Sequence, residues 1–400
     1  MILTIVAFLV ILGILVFVHE FGHFFMARRM NVKVDEFGFG FPPRLVGVRK
    51  RQTDTTNQDT SVKKVKKWEI VWGNKIKSDS SPHTIYSLNW IPIGGFVKIK
   101  GEQGEGEGEP DSFVFQKIWK RILIIASGVI MNFILAIVLL SIGFSIGIPT
   151  VIDESIDLSR VRDPKIQIIE VAEQSPAQKA NLREGDILMA IDGQPVSEIK
   201  DIQQSIAGKE NQEVKLDIIR GDQKIVKNAV PKILTGSGDR PVLGVGLVKT
   251  GIISYPIHTA IYKGAESTFY LMGEIVRVFG EIIGRLFTGQ KVSADVAGPV
   301  GIAVLTGRVV SLGIVYVLQF AALLSINLGI INILPIPALD GGRILFLIIE
   351  KIKGRAVNQK VENLIHNIGF IFLMALVAVV TYKDFERWGG KILEALKRLL

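Results

Sequence analysis

The sequence predicts a polytopic α-helical membrane protein with about four transmembrane helices and one compact α+β domain. Composition is the first reason: 48% of the 400 residues are hydrophobic and the mean hydropathy is +0.37, which is unusually apolar for a soluble domain. Distribution is the second, because the apolar residues form long runs and about 20 such residues cross a bilayer as a helix. The runs lie at residues 1–27, 122–148, 314–341 and 364–382.

Charge and cysteine content exclude several classes of function. The net charge is +9, but most basic residues lie beside the apolar runs, so membrane topology and anionic lipid explain them better than nucleic acid does. The chain has no cysteine, so a bound metal must be held by His, Asp or Glu. The first run follows Met1 without a basic segment or a cleavage site, and we expect it to be a retained helix and not a signal peptide.

Basic residues also orient the chain in the membrane. The region 28–121 is rich in Lys and Arg, and the positive-inside rule places it in the cytoplasm. The basic residues after the third run agree with this orientation. The region between the second and third runs then lies outside the cytoplasm. The basic tail at residues 383–400 argues weakly against it.

The connecting regions predict smaller elements. Residues 52–66 are polar and lack an apolar period, which predicts a flexible insertion. Short strands are predicted at Trp68–Trp72, Thr84–Trp90 and Phe96–Ile99. An acidic glycine linker follows at Gly101–Gly108.

The outer region predicts a domain and a helix. Residues 162–233 read as strands interleaved with two short helices, which predicts the α+β domain. In residues 256–290, apolar side chains recur at three- and four-residue steps, which is typical of an amphipathic helix. Such a helix lies on the membrane surface or packs on protein, and the pattern does not choose between the two.

The candidate metal-binding and catalytic residues of the first helix lie in the string His19-Glu20-Phe21-Gly22-His23. Residues four apart share one face of a helix, so both imidazoles can reach one metal ion. Glu20 is offset by one position, close enough to act on water at the metal without being a ligand. Ionisable residues inside a membrane helix are expensive and usually functional. The alternative is a set of buried polar groups that merely pair with one another.

A catalytic zinc ion usually takes three protein ligands, so a third is needed. Three other histidines do not lie inside the membrane beside the pair. His83 lies in the cytoplasmic loop, His258 on the outer side and His366 at the start of the fourth helix. Asp340 lies at the cytoplasmic end of the third helix, three residues before Arg343. His23 lies five residues before Arg28 at the basic end of the first helix, so both approach the same leaflet. The alternative for Asp340 is a helix-terminal acid that faces solvent.

These motifs resemble those of the site-2 protease family of intramembrane zinc metalloproteases, specifically its bacterial RseP-like branch. HExxH stands at His19–His23 and NxxPxPxLDG at Asn332–Gly341. The resemblance extends over most of the chain, including a PDZ-like stretch at Arg183–Gly193. Val129 stands where the family often has proline, and the insertion at 52–82 is longer than usual. Further glycine-containing matches are Gly38–Pro42, Ile93–Phe96, Gly128 with Asn132, and Ala297–Gly301.

The resemblance implies one Zn²⁺ per chain, held by His19, His23 and Asp340, with Glu20 as the general base. It implies hydrolysis within transmembrane segments of membrane proteins, such as an anti-sigma-like regulator or remnant signal peptides. The enzyme would be a multi-pass protein of the bacterial cytoplasmic membrane, with its active site near the cytoplasmic face and an extracytoplasmic PDZ-like domain. That domain would bind peptide C-termini or act as a size filter.

The resemblance also implies a substrate-binding surface. An unwound substrate needs hydrogen-bond partners that lipid does not supply, and a membrane-associated β-element would supply them by edge pairing. The alternatives are ordinary turns for the glycines and helix-packing roles for the two asparagines. The candidate substrate-binding residues are Gly94, Gly95, Phe96, Val97, Asn132 and Asn332.

Two other classes of function stay open at this point. A membrane-anchored, non-catalytic PDZ scaffold would leave the metal-binding residues unexplained. A zinc transporter would usually show internal repeats and a site near the bilayer midplane. We find no repeat in the sequence, and the candidate ligands lie toward one face of the membrane.

Overall fold

The computed structural model divides the chain into two compact units. One, the membrane unit, comprises Met1–Ile142 and Ile261–Leu400, and the other, the PDZ-like unit, comprises Gly143–Ala260. The structure describes residues 2–56, 62–74, 83–104, 106, 108–152, 161–221, 223–234, 238, 240–289 and 298–397.

In chain order the described helices are α1 (Ile2–Arg29), α2 (Ile118–Ile146), α3 (Pro176–Lys179), α4 (Ile199–Ile206), α5 (Ile257–Phe287), α6 (Pro299–Leu312), α7 (Ile314–Ile333), α8 (Asp340–Lys353) and α9 (Gln359–Lys397). The described strands are β1 (Val34–Thr56), β2 (Val62–Trp72), β3 (Ile85–Ile99), β4 (Ile148–Val151), β5 (Val161–Val171), β6 (Ile187–Ile191), β7 (Gln194–Pro195), β8 (Val214–Arg220), β9 (Gln223–Ala229), β10 (Lys232–Ile233), β11 (Pro241–Val242) and β12 (Val245–Ile253).

Four described helices are long and apolar enough to cross a membrane, as the sequence predicts. They lie at Leu3–Arg29, Ile118–Ile146, Ile314–Ile333 and Gln359–Gly389. The last of them belongs to α9, which continues to Lys397. The predicted separate tail is therefore helical up to that residue, and residues 398–400 lie outside the described part.

The third apolar run is not one helix to residue 341, and this prediction was wrong. Helix α7 ends at Ile333, and Asp340 is the first residue of α8. The reason is Pro335 and Pro337, which lack a backbone N–H and disfavour helical geometry in the residue before them. Asp340 therefore projects from the start of a new helix.

Strands β1, β2 and β3 form one sheet in the membrane unit, in the order β2-β1-β3. The predicted strands at Thr84–Trp90 and Phe96–Ile99 belong, except for Thr84, to the single strand β3. The predicted flexible insertion is also corrected. Residues 52–56 pair with residues 62–66 in an antiparallel ladder, whose backbone hydrogen bonds are independent of side-chain polarity. Residues 57–61 and 75–82 of that prediction lie outside the described part.

Helix α5 occupies the predicted amphipathic segment except for its ends, of which residue 290 is not described. Near its start, a Cβ at Gly264 would lie 2.3 Å from Ser141 Oγ of α2, so this part packs closely on protein. Farther along, Phe269, Tyr270 and Val276 are exposed. The start of this helix therefore packs on protein, and a position on the membrane surface stays a prediction for the rest of it.

Helix α6, which the sequence analysis did not predict, is capped by a side chain from α9. Asp384 accepts hydrogen bonds from the backbone N–H groups of Gly298 (3.2 Å) and Gly301 (2.7 Å). These N–H groups at a helix start have no partner within the helix, so a buried carboxylate stabilises them. The cap fixes α6 to α9.

The PDZ-like unit is larger than the predicted range of 162–233. Its main sheet has the order β4-β12-β5-β6-β8-β9, with β7 paired to β6. Strand β12 pairs with both β4 and β5, so the sheet includes residues on either side of the predicted range. The core contains buried Ile166, Ile168, Leu188, Leu216 and Ile218.

The motif around Asp192-Gly193 forms a turn held by charge. Asp192 accepts hydrogen bonds from Lys209 Nζ and from the backbone N–H of Lys215, both at 2.7 Å. The Lys209 ammonium and then the Lys215 N–H hold the pKa of the Asp192 carboxyl below its usual range. The turn is therefore fixed by an ionised Asp192 at neutral pH.

Asp186→Ala is expected to destabilise the PDZ-like unit by about 3 kcal/mol, since removing one partner of a buried ion pair has costs of this order. The Asp186 carboxylate is buried and accepts two hydrogen bonds from Arg220, each 2.7 Å, and one from the N–H of Arg183 at 2.9 Å. Hydrogen exchange of β6 and β8 amides in the full chain measures the loss. Replacing the exposed Glu213 with alanine (Glu213→Ala) is the control. Equal hydrogen exchange in the two variants would contradict the prediction.

Candidate metal centre and active site

Helix α1 places His19 and His23 one turn apart on a single face. Their Nε2 atoms lie 3.2 Å apart, and both side chains are buried. The surrounding sequence is an apolar run without proline, so the helix continues through the motif. The two rings therefore present one nitrogen each to the same point.

Asp340 reaches that point from the start of α8. Its Oδ2 atom lies 3.1 Å from His19 Nε2 and 3.4 Å from His23 Nε2. Tetrahedral zinc with bonds of 2.0–2.2 Å places its ligand atoms about 3.3 Å apart. The triangle of donor atoms therefore has the size that a tetrahedral zinc site requires.

The hydrogen bonds around the triangle also fit a cation. His23 Nδ1 lies 2.9 Å from the carbonyl oxygen of Ile124, so Nδ1 carries the proton and Nε2 directs a lone pair at Asp340. Asp340 Oδ2 is buried and receives no hydrogen bond, although both Nε2 atoms are near it. Electron-pair donors converge there, and a metal ion is the group that satisfies such a set.

Asn132 of α2 lies behind the His19 ring. Its Nδ2 is 3.2 Å from His19 Nδ1, while its Oδ1 is buried without a partner. Amide orientation follows from the hydrogen-bond network, and a 180° rotation would let Oδ1 accept the Nδ1 proton. This rotation gives Oδ1 a donor and leaves His19 Nε2 free to bind metal. Asn132 has no exposed surface, so it packs behind the candidate ligand His19 and presents no surface to a substrate.

Gly128 gives the two imidazoles their space. A Cβ at Gly128 would lie 2.4 Å from His23 Nε2 and 2.8 Å from His19 Cε1. On the other side of the crossing, a Cβ at Gly22 would lie 2.4 Å from the Ser127 carbonyl oxygen. The α2 backbone therefore passes directly beside the candidate ligands. From the sequence alone, Gly128 was only part of a motif, and this role was not predicted.

Glu20 is half-buried where β3 crosses α1. A Cβ at Gly95 would lie 3.2 Å from Glu20 Cβ and Cγ and 2.9 Å from Phe17 Cα, and one at Gly94 would lie 2.7 Å from Val16 Cγ1. The two glycines therefore bring the β3 backbone against the helix face that carries Glu20.

The crossing part of β3 has an open edge. Gly95, Phe96 and Val97 pair with β1 on one side, and in the described ranges no strand pairs with them on the other. Asn332, at the end of α7, is half-buried with its Nδ2 3.5 Å from His19 Nε2. Gly94 and Gly95 thus lie against the face of α1 that carries Glu20, and Asn332 lies beside His19.

His366, which the sequence analysis excluded as a ligand, supports the loop before Asp340. Its Nδ1 accepts a hydrogen bond of 2.9 Å from the Ala338 backbone N–H. Gly369, one turn later, lets Pro337 pack closely, since a Cβ there would lie 2.5 Å from Pro337 Cβ. The α9 helix therefore fixes the segment that delivers the third ligand.

The model of peptidase family M50 matches residues 7–57 and 60–376. The chain belongs to peptidase family M50. The resemblance to site-2 proteases is thereby confirmed, and so is the prediction of an intramembrane zinc metalloprotease. The scaffold and transporter alternatives are not favoured.

Similar proteins cover nearly the whole chain. Zinc metalloprotease RasP of Bacillus licheniformis is 32% identical over 96% of this chain and 99% of its own. Regulator of sigma-W protease RasP of Bacillus subtilis is 31% identical over 96% and 98%, and protease RseP of Yersinia pestis 29% over 96% and 98%. A solved PDZ domain of an SdrC-like protein from Listeria monocytogenes is 23% identical, with a TM-score of 0.20, over 22% of this M50 chain and 90% of that domain.

Proposed function

We propose that this M50 metalloprotease binds one zinc ion per chain between His19, His23 and Asp340 and hydrolyses peptide bonds within transmembrane segments. The observation that carries the proposal is the triangle of three donor atoms, 3.1–3.4 Å apart, inside the membrane unit. Its edges match tetrahedral zinc.

The zinc ion and the residues around it have separate roles in the reaction. When bound, zinc supplies a Lewis acid that polarises a carbonyl and makes water acidic. Glu20 takes the proton from the attacking water and passes it to the leaving amine. Ile124 and Asn132 hold the two imidazoles in the tautomers that direct Nε2 inward.

The open edge of β3 binds the substrate in extended form. A transmembrane helix hides its carbonyls in its own hydrogen bonds, so the substrate must unwind locally to be cut. Gly94, Gly95, Phe96 and Val97 offer the freed backbone new partners beside Glu20. Asn332, whose Nδ2 lies 3.5 Å from His19 Nε2, donates to the substrate backbone beside the triangle.

The natural substrates are membrane proteins of a bacterial cytoplasmic membrane. The relative named regulator of sigma-W protease supports a membrane-bound anti-sigma-like regulator, and remnant signal peptides are a second class. The basic region after α1 supports a cytoplasmic-side active site with the PDZ-like unit outside.

The PDZ-like unit binds peptide C-termini. A groove runs between α4 and the start of β12, and its lining includes Leu243, Gly244 and Val245. The residues Val245–Val248 pair with β5 on one side. The other edge faces the groove, and a peptide strand can add there.

Asp340→Asn tests the metal site. The substitution keeps the shape of the side chain but removes its charge, and we expect zinc content to fall well below one ion per chain and cleavage of a model transmembrane substrate to be lost. Metal analysis of purified protein and a cleavage assay measure the two effects.

Asp111→Asn is the matched control, because Asp111 pairs with Lys100 and lies outside the triangle. It should keep both zinc and activity. Zinc at the wild-type level in Asp340→Asn would show that the carboxylate is not a ligand.

A further inference from the structure

Strand β2 exposes a row of large apolar side chains. Trp68, Ile70 and Trp72 are 62%, 60% and 63% exposed, whereas Val71 between them is 1% exposed. The water-facing side of an antiparallel sheet is normally polar. A contiguous aromatic row of this kind marks a surface that something apolar covers.

The row lies on the sheet face that packs on α1. Ile70 pairs with Val48, Val48 with Tyr86, and Tyr86 with Phe37, and paired residues point to the same face. Phe37 stacks on Phe24 of α1 with ring centroids 4.5 Å apart. The membrane-spanning helix α1 thus covers one end of this sheet face. The tryptophan row is the exposed end of the same face, and lipid surrounds α1 there.

The depth of the row follows from the same ladder. The Tyr86 hydroxyl accepts a hydrogen bond of 3.0 Å from Arg28, and Arg28 and Arg29 end α1. The row therefore lies level with the basic end of a transmembrane helix, where the apolar core meets the headgroups. Tryptophan is enriched at this depth in membrane proteins.

The charge of the hairpin increases beyond the row. By register, β1 and β2 continue past Trp68 to Thr56 and Val62, in the direction away from Trp72. Residues 49–67 contain seven basic and two acidic residues. Lys50 Nζ lies 5.2 Å from the centroid of the Trp68 ring. Apolar, aromatic and basic positions thus follow one another along the hairpin, as a bilayer surface with anionic headgroups requires.

We propose that the row Trp68, Ile70 and Trp72, together with the lysine-bearing end of the β1–β2 hairpin, is an anchor that binds the anionic lipid interface. The anchor holds the sheet at a fixed depth. Because β3 belongs to the same sheet, it also fixes the depth of the strand beside Glu20.

Depth-resolved fluorescence tests the occupant of the row. The chain has five tryptophans, so full-length proteins that keep only Trp68 or only Trp72, with the others changed to Phe, report each position separately. In nanodiscs with brominated phosphatidylcholine, we expect lipid quenching of both, with Trp72 responding to deeper bromines than Trp68. If water-borne acrylamide quenches both and bromine neither, or if both quenchers fail because protein covers the row, the proposal is overturned.

Lipid charge provides the second arm of the test. At low salt, phosphatidylglycerol should increase the bromine quenching of Trp68, and high salt should cancel the increase. A variant with Gln at residues 63, 64, 66 and 67 should lose the increase, since each lysine contributes roughly fivefold to affinity for an anionic surface. A variant with Gln at Lys215, Lys224, Lys227 and Lys232 of the PDZ-like unit removes equal charge and should keep it. Equal quenching with and without phosphatidylglycerol in the parent protein would overturn the role of anionic lipid.

Discussion

Glu20→Gln is expected to leave zinc bound while peptide-bond cleavage falls by about 10²- to 10⁴-fold, the usual contribution of a general base. Glutamine has nearly the same shape as glutamate but does not take up a proton. The donor atoms of His19, His23 and Asp340 are unchanged by the substitution. Metal analysis and cleavage of a model transmembrane substrate in detergent give the two values.

The comparison with Asp340→Asn makes this result specific. Glu20→Gln separates zinc binding from activity, whereas Asp340→Asn loses both. Glu274→Gln, on α5, is the matched control and should retain both. Full activity in Glu20→Gln would rule out the proposed base, and loss of zinc in Glu20→Gln would make Glu20 part of the metal site.

Local sequence was enough to predict the residues of the candidate metal site. The spacing of His19 and His23 fixes their common helix face whatever surrounds them. The topology inferred from basic residues brought Asp340 to the same leaflet, and the structure brings it within 3.4 Å of both rings. The path of the chain to Asp340 was predicted only in part. Pro335 and Pro337 were expected to break regular helix, but the apolar run was still assigned as one helix to residue 341, whereas α7 ends at Ile333 and α8 begins at Asp340.

Features that depend on contacts between residues far apart in the chain could not be predicted from the sequence. The polar end of the β1–β2 hairpin resembles a disordered segment by composition, yet it is paired, because strand formation depends on the neighbouring strand. The roles of Asn132 and His366 arise from crossings between helices far apart in the chain. Such crossings leave little local signal beyond a polar residue in an apolar helix.

Gly128→Ala is expected to abolish or severely weaken zinc binding, and with it activity, although it adds one methyl group. The added Cβ would lie 2.4 Å from His23 Nε2, the atom proposed to bind the metal. Changes to groups that only support a ligand already reduce metal affinity by about 10- to 100-fold, and this clash acts on a ligand atom itself. A zinc titration by competition with a chelator measures the effect.

The helix propensity of alanine separates an effect on the metal site from an effect on helix stability. Alanine is more favourable than glycine in a helix interior by about 1 kcal/mol, so Gly128→Ala should not weaken α2 as a helix. Gly273→Ala, on α5, is the matched control, because a Cβ there meets no atom within 4 Å; it should bind zinc like the parent. If Gly128→Ala binds zinc with the parent affinity, α2 does not press on the imidazoles as described. If instead the metal-free variant unfolds, the glycine acts on packing of the fold and not on the site.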